Sequence, residues 1–184
     1  RDRDYCSLQA LDYRGLQPGP GLRGPLDHEA DVMESERIYL RPVGPEDAEL
    51  LLSWGQDPYY QETAGFAHYR NLAEAEEGAL AYQQRPASYM ICLKKGQAIG
   101  LLELYPRDGQ SRELGFLLDK KYQGQGYMTE SINCLLGEAF KDPEIKEIWA
   151  GCRANNLRPQ HLLQKLCFRQ MYEVDYRQIP PFLD

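Results

Sequence analysis

At 184 residues the chain suits one domain with a single substantial core, and 42% hydrophobic with 27% charged residues is ordinary for a globular protein. No apolar run nears the roughly 20 residues that span a bilayer, and the start Arg1-Asp2-Arg3-Asp4 lacks the apolar centre of a secretory signal, so a cytoplasmic protein is expected. A formal charge of −7 disfavours nucleic acid and anionic membranes as partners, and it suits a cationic acceptor such as an amine.

Cys6, Cys92, Cys134, Cys152 and Cys167 show no CxxC spacing, and His28, His68 and His161 are dispersed. Reduced thiols and no metal site are the expectation.

In chain order, residues 4 to 13 alternate like a strand, and residues 14 to 32 are rich in Gly and Pro like a linker. Residues 1–32 therefore read as an N-terminal extension and 33–184 as the main domain. Ile38 and Leu40 alternate with polar neighbours in a first strand of that domain. Pro45-Glu46-Asp47-Ala48 places proline and acids in a first helical turn, where the missing N–H and the helix dipole favour them. Leu50, Leu51, Leu52 and Trp54 supply its apolar stripe. A tyrosine-rich link with Tyr59, Tyr60, Phe66 and Tyr69 leads to a helix over about Asn71 to Gln84, with Leu72, Ala75, Ala79, Leu80 and Tyr82 facing inward. Strands at Ser88–Lys94, Ala98–Tyr105 and Arg112–Leu118 follow, joined by turn-forming residues. A helix over Tyr127–Phe140, a strand over Ile145–Cys152, a helix over Leu157–Leu166 and a strand over Phe168–Arg177 complete an α+β pattern: a mostly antiparallel mixed sheet flanked by helices.

The most informative stretch runs from Leu117 to Glu130. A buried strand ends at Leu118, a loop carries Gly124 and Gly126, and an amphipathic helix begins near Tyr127. Glycines let backbone approach a ligand, and a helix start presents unpaired N–H groups at the positive end of its dipole. That is chemistry for a pyrophosphate. The phosphate-loop pattern GxxxxGK[ST] is absent, as are GxGxxG and its later acid.

Gln123 and Gly126 resemble the Gln/Arg-x-x-Gly-x-Gly/Ala signature of the GNAT superfamily of acyl-coenzyme A N-acetyltransferases, with Met128 in place of the last small residue. The string from Tyr122 to Glu130 is similar to the RimJ/RimL-type branch. Downstream, Asn156, Lys165 and Phe168 resemble that family's Asn-x-x-Ser…Glu-Lys-x-Gly-Phe, while Pro159, Gln164 and Cys167 depart from it. The resemblance implies a sheet splayed between the fourth and fifth strands, with acetyl-CoA as cosubstrate in the gap. It implies pantetheine on the backbone of Phe116, Leu117 and Leu118, and pyrophosphate on Gly124, Gln125, Gly126, Tyr127, Met128 and Thr129. Asn156 either caps its helix or reaches the cofactor arm.

Glu113 and Glu103 are the candidate general bases, and Cys152 a candidate proton donor, because Leu163 stands where many relatives carry Tyr. The family's sheet normally closes with a seventh strand; residues 4 to 13 are the candidate to fill that place, in this chain or a neighbouring one, and a disordered leader is the alternative. The implied reaction is acetyl transfer to a primary amine, on a protein N-terminus or a small molecule. Aminoglycoside 6′-N-acetylation and a non-catalytic acyl-CoA-binding module remain open, and an unpaired sheet edge leaves a homodimer open.

Overall fold

The computed structural model describes residues 4–11, 33–153 and 155–175. The alternating segment near the start contributes a strand over Asp4–Leu11 (β1), and Met33–Glu34 forms a short β2. The strand around Ile38 and Leu40 is β3, Ile38–Pro42. The three hairpin strands are β4 (Ser88–Leu93), β5 (Ala98–Pro106) and β6 (Ser111–Leu118). They are followed by β7 (Glu147–Arg153) and β8 (Arg169–Asp175). Among the described residues five α-helices accompany them: α1 Ala48–Gln56, α2 Pro58–Ala64, α3 Leu72–Gln84, α4 Tyr127–Ala139 and α5 Leu157–Lys165.

Pro45–Asp47 forms a 3-10 turn rather than the first turn of α1. Its buried Asp47 takes two hydrogen bonds from the Arg41 guanidinium, at 2.8 and 2.7 Å, and one from the Gly44 N–H at 2.9 Å. The acid expected to serve a helix dipole thus also ties the turn to β3. The tyrosine-rich link contains a helix of its own, α2. Asp57 caps it by accepting from the Tyr59 N–H at 3.0 Å, Pro58 stands at its first position, and Gly65 ends it at φ +63°. In α3, Ala75 and Ala79 are buried as expected, whereas Leu72 and Leu80 are exposed. At about 100° per residue Leu80 falls well off the Ala75–Ala79 line, so it faces away from the sheet.

The sheet order is β2-β3-β4-β5-β6-β7-β1-β8. Among the described residues every pairing is antiparallel except β6 with β7, which is parallel. β1 is hydrogen-bonded on both sides, from Tyr5↔Arg153 to Leu11↔Glu147 with β7, and from Asp4↔Asp175 to Gln9↔Arg169 with β8. Residues 12–32, which include the linker read at 14–32, lie outside the described residues.

Alternation splits the core between the two faces of the sheet. Leu102, Leu104, Leu114 and Ile148 pack with Ile132, Leu135 and Leu136 of α4 and Leu163 of α5. Leu101, Leu117, Met90 and Cys92 pack with Leu51 and Trp54 of α1 and Ala75 and Ala79 of α3. Each large side chain buried this way contributes about 1.5–3 kcal/mol. The same packing holds β6 rigidly between two helical layers. The parallel β6–β7 ladder runs only from Ser111↔Glu147 to Leu114↔Ala150, while β6 continues to Leu118 and β7 to Arg153. Beyond Leu114 the two strands diverge, and a gap opens in the middle of the sheet.

Candidate active site

The chain leaves β6 through a tight 3-10 turn, Lys120–Tyr122, capped by Asp119, whose carboxylate accepts from the Lys121 N–H at 3.0 Å and the Trp54 indole at 3.0 Å. Gly124 and Gly126 then adopt φ +76° and +83°. An L side chain in that region costs about 1–2 kcal/mol, so glycine is required by the path of the loop. The first helical bond of α4 runs from the Glu130 N–H to the Gly126 carbonyl at 3.1 Å. The N–H groups of Tyr127, Met128 and Thr129 therefore precede the intrahelical ladder and point out of the helix start.

This loop is braced from the far edge of the sheet. Glu130 accepts from the Ser35 hydroxyl at 2.6 Å, the Arg37 N–H at 2.8 Å and the Arg37 Nε at 2.7 Å. Arg37 also donates to the Gln125 carbonyl at 3.0 Å, and its guanidinium sits 4.4 Å from the centre of the Tyr127 ring. Burial pushes the Glu130 carboxyl up, but these hydrogen bonds and the Arg37 charge outweigh it and hold it below its ordinary value. Gln123 is a second brace: its amide donates to the Leu118 carbonyl at 3.0 Å and accepts from Tyr59 at 3.0 Å and Arg158 at 2.6 Å.

A groove of about 860 Å³ lies in front of the loop, walled by α2, the end of β6, the start of α4 and α5. Phe116, Leu117, Leu118, Gln123, Gly124, Gly126, Tyr127, Met128, Thr129 and Asn156 all line it. Of the cofactor residues read from the sequence, Gln125 alone is not in the lining; its carbonyl serves Arg37 instead. Asn156 precedes α5 with extended dihedrals, and its side chain makes no capping hydrogen bond. Its amide is therefore not committed to its own helix. Tyr59, Tyr60, Thr63, Arg158, His161 and Lys165 also line the groove and were not anticipated. The last three recur at helical spacing on α5, a stripe of nitrogen-bearing side chains that the 3.6-residue period contains.

A divergent pair of strands, two left-handed glycines, open space over Gly124 and an unspent amide beside α5 fit an extended thiol cofactor with a pyrophosphate. Main-chain donors from Gly124 to Thr129 can hold the diphosphate, and Asn156 the amide-bearing arm.

Ala64, Phe116 and Leu117 also line a second, smaller chamber of about 270 Å³. Its other walls are Gly65, Phe66 and Ala67 after α2, Tyr82 and Arg85 at the end of α3, and Leu101, Glu103, Tyr105 and Gly115. Glu103, only 4% exposed, accepts from Ser88 at 2.8 Å and Arg85 at 2.9 Å, and Tyr105 donates its hydroxyl to the second oxygen. Burial raises the Glu103 carboxyl above its ordinary value despite these partners, because desolvation of the anion outweighs them. The Tyr82 phenol is pushed up too, first by burial and then by the nearby Glu103 charge.

The sheet separates Cys152 from the two glutamates, which share a face. Glu103 faces the chamber. Glu113 is exposed and pairs across the ladder with Tyr105, on the Glu103 face but outside the chamber lining. Cys152 is buried at 7% exposure in the core cluster under α4 and α5, with Ile148 and Ala150, and lines neither cavity. Alternation along β7 puts it on the core face, so it packs rather than meeting the groove. Leu163 is likewise fully buried.

Residues 37–169 match the family model described as an acetyltransferase (GNAT) domain. A probable N-acetyltransferase, YjcK, of Bacillus subtilis is 24% identical over 157 residues, covering 76% of this chain and 84% of that protein. The spermidine N-acetyltransferase of Vibrio cholerae, solved with CoA and spermine, superposes with a TM-score of 0.65 at 19% identity, covering 73% and 82% of the two chains. The acetyltransferase of Salmonella typhimurium that modifies the N-terminal serine of ribosomal protein L7/L12 gives 0.62 at 19% identity, covering 73% and 83%. Among the described residues no helix is long and apolar enough to cross a membrane.

Proposed function

The chain belongs to the GNAT family of acetyltransferases, with acetyl-CoA as cosubstrate, and from that premise we propose that it acetylates a primary amine held in the chamber beside the groove. The observation that carries the reading is the junction of the two cavities at Ala64, Phe116 and Leu117, with a buried carboxylate on one side and the glycine loop on the other. A thioester supplies an activated acetyl carbon; the net change breaks its C–S bond, forms a C–N bond and releases one proton.

Within this reading the chain supplies position and a proton acceptor. The main-chain amides of the loop fix the diphosphate end. The Asn156 amide and the open edge of β6 align the arm so that its end reaches Phe116 and Leu117. Glu103 receives the proton from the ammonium, and its raised affinity for protons suits that work near neutrality. Acceptors acetylated by the similar proteins include spermidine and a ribosomal-protein N-terminus, both primary amines. Thiol release from acetyl-CoA, followed across a panel of amines, tests the proposal: amine-dependent release supports it, and release that no amine accelerates contradicts it.

A further inference from the structure

We propose that the chamber selects a compact zwitterionic amine, with its ammonium toward Glu103 and a carboxylate or phosphonate on Arg85. The inference rests on the acetyltransferase reading above and narrows its acceptor.

The first observation is size. About 270 Å³ accommodates a small amino acid with room to spare. Gly115 forms the floor beneath Tyr105: a Cβ there would lie 2.8 Å from the Tyr105 ring, so the ring closes down on the β6 backbone and limits the depth.

The second observation is charge. Glu103 and Arg85 both face the chamber and are joined at 2.9 Å. Arg85 is anchored: its backbone N–H donates to the Tyr82 carbonyl at 3.1 Å, and its guanidinium lies 4.7 Å from the Tyr82 ring centre and 5.8 Å from that of Tyr105. Its side chain remains 45% exposed, with N–H donors beyond those directed at Glu103 and the Tyr82 hydroxyl. A guanidinium fixed by flanking rings, with edge donors left over, is built to receive a planar or tetrahedral anion.

The net charge of −7 attracts any cation at long range. It does not decide what happens inside the chamber. There a purely cationic amine reaches Glu103 only by lying beside Arg85, where like charges repel across a partly solvated space. An amine that brings its own anion converts that repulsion into a second ion pair.

The experiment measures thiol release by the full chain with glycine, alanine, β-alanine, aminoethylphosphonate, alanine methyl ester, spermidine and a short peptide. The expected result is a kcat/KM for alanine about tenfold or more above its methyl ester and spermidine, the ratio one lost ion pair gives. Arg85→Gln brings that ratio close to one, Arg85→Lys restores part of it, and both variants bind acetyl-CoA like the parent in calorimetry. Spermidine or the ester turning over as well as alanine, or no turnover on any amino acid or phosphonate, overturns the inference. So does an Arg85→Gln variant that keeps the parent's preference. A parent chain that fails to bind acetyl-CoA overturns the acetyltransferase reading itself, and this inference with it.

Discussion

The groove and the chamber share three lining residues but are built by different means. The groove is a main-chain site: two left-handed glycines, a helix start and a broken parallel ladder present backbone groups that depend little on side-chain identity. The chamber is a side-chain site, where Arg85, Ser88, Glu103 and Tyr105 converge from three elements and depend on each other. A backbone site can keep its ligand through wide sequence change, whereas a side-chain site changes acceptor with a few substitutions.

Substitutions that separate the two regions sharpen this contrast. Glu103→Gln should lower kcat/KM for the amine by about a hundredfold or more, the usual cost of losing a general base. Acetyl-CoA affinity should stay unchanged in calorimetry. The pH profile should change with it. Because the Glu103 carboxyl is held above its ordinary value, it ionises only at higher pH, so the parent's acid limb should lie above the usual carboxylate value of about 4.3. The variant should lose that limb. The same upward shift means the ionised carboxylate costs stability as pH rises past the unfolded-state value, so Glu103→Gln should not lower Tm at neutral pH. A variant that lost both turnover and cofactor binding would break the contrast.

Gly126→Val should act the other way. At φ +83°, and with the Arg37 guanidinium 3.3 Å from where a Cβ would sit, it should cost about 1–2 kcal/mol and weaken CoA binding roughly tenfold. Asn156→Ala should weaken CoA binding by roughly fivefold, the worth of one hydrogen bond, without loss of Tm, since the side chain makes no capping bond. Glu130→Gln tests the brace. Its lowered carboxyl contributes stability above the unfolded-state value and loses it as pH falls through the folded one, so the Tm gap between parent and variant should close on acidification. Cys152→Ala should have the smallest effect on chemistry, within about twofold in kcat, while costing about 1 kcal/mol of stability in thermal unfolding for a small core cavity.

The same contrast explains what was legible in the sequence. Gly124, Gly126 and the helix after them carry local signals, and a backbone site made of consecutive residues is readable from consecutive letters. The role of Asn156 was open in the sequence because a cap and a ligand contact ask for the same side chain; only its geometry shows that no capping bond is made. The chamber was not legible. Arg85 meets Glu103 through the β4–β5 register that sets Ser88 opposite Glu103, and alternation specifies a face but not a partner. The helix α2 was missed although Asp57, Pro58 and Gly65 mark its ends, because seven residues with adjacent tyrosines show no clear period. Leu80 was misassigned by counting apolar residues rather than their angular positions. Alternation in residues 4–11 marked a strand, but its place in the sheet was suggested by the family resemblance, which left a seventh strand to be filled, and not by any local pattern.

The most direct measurement is a calorimetric titration of the folded chain with CoA, repeated on Gly126→Val. A single saturating site in the parent, weakened in the variant, is the predicted result. A folded parent that gives no heat, or a variant that binds as tightly, would contradict a groove whose donors are the backbone amides of the glycine loop.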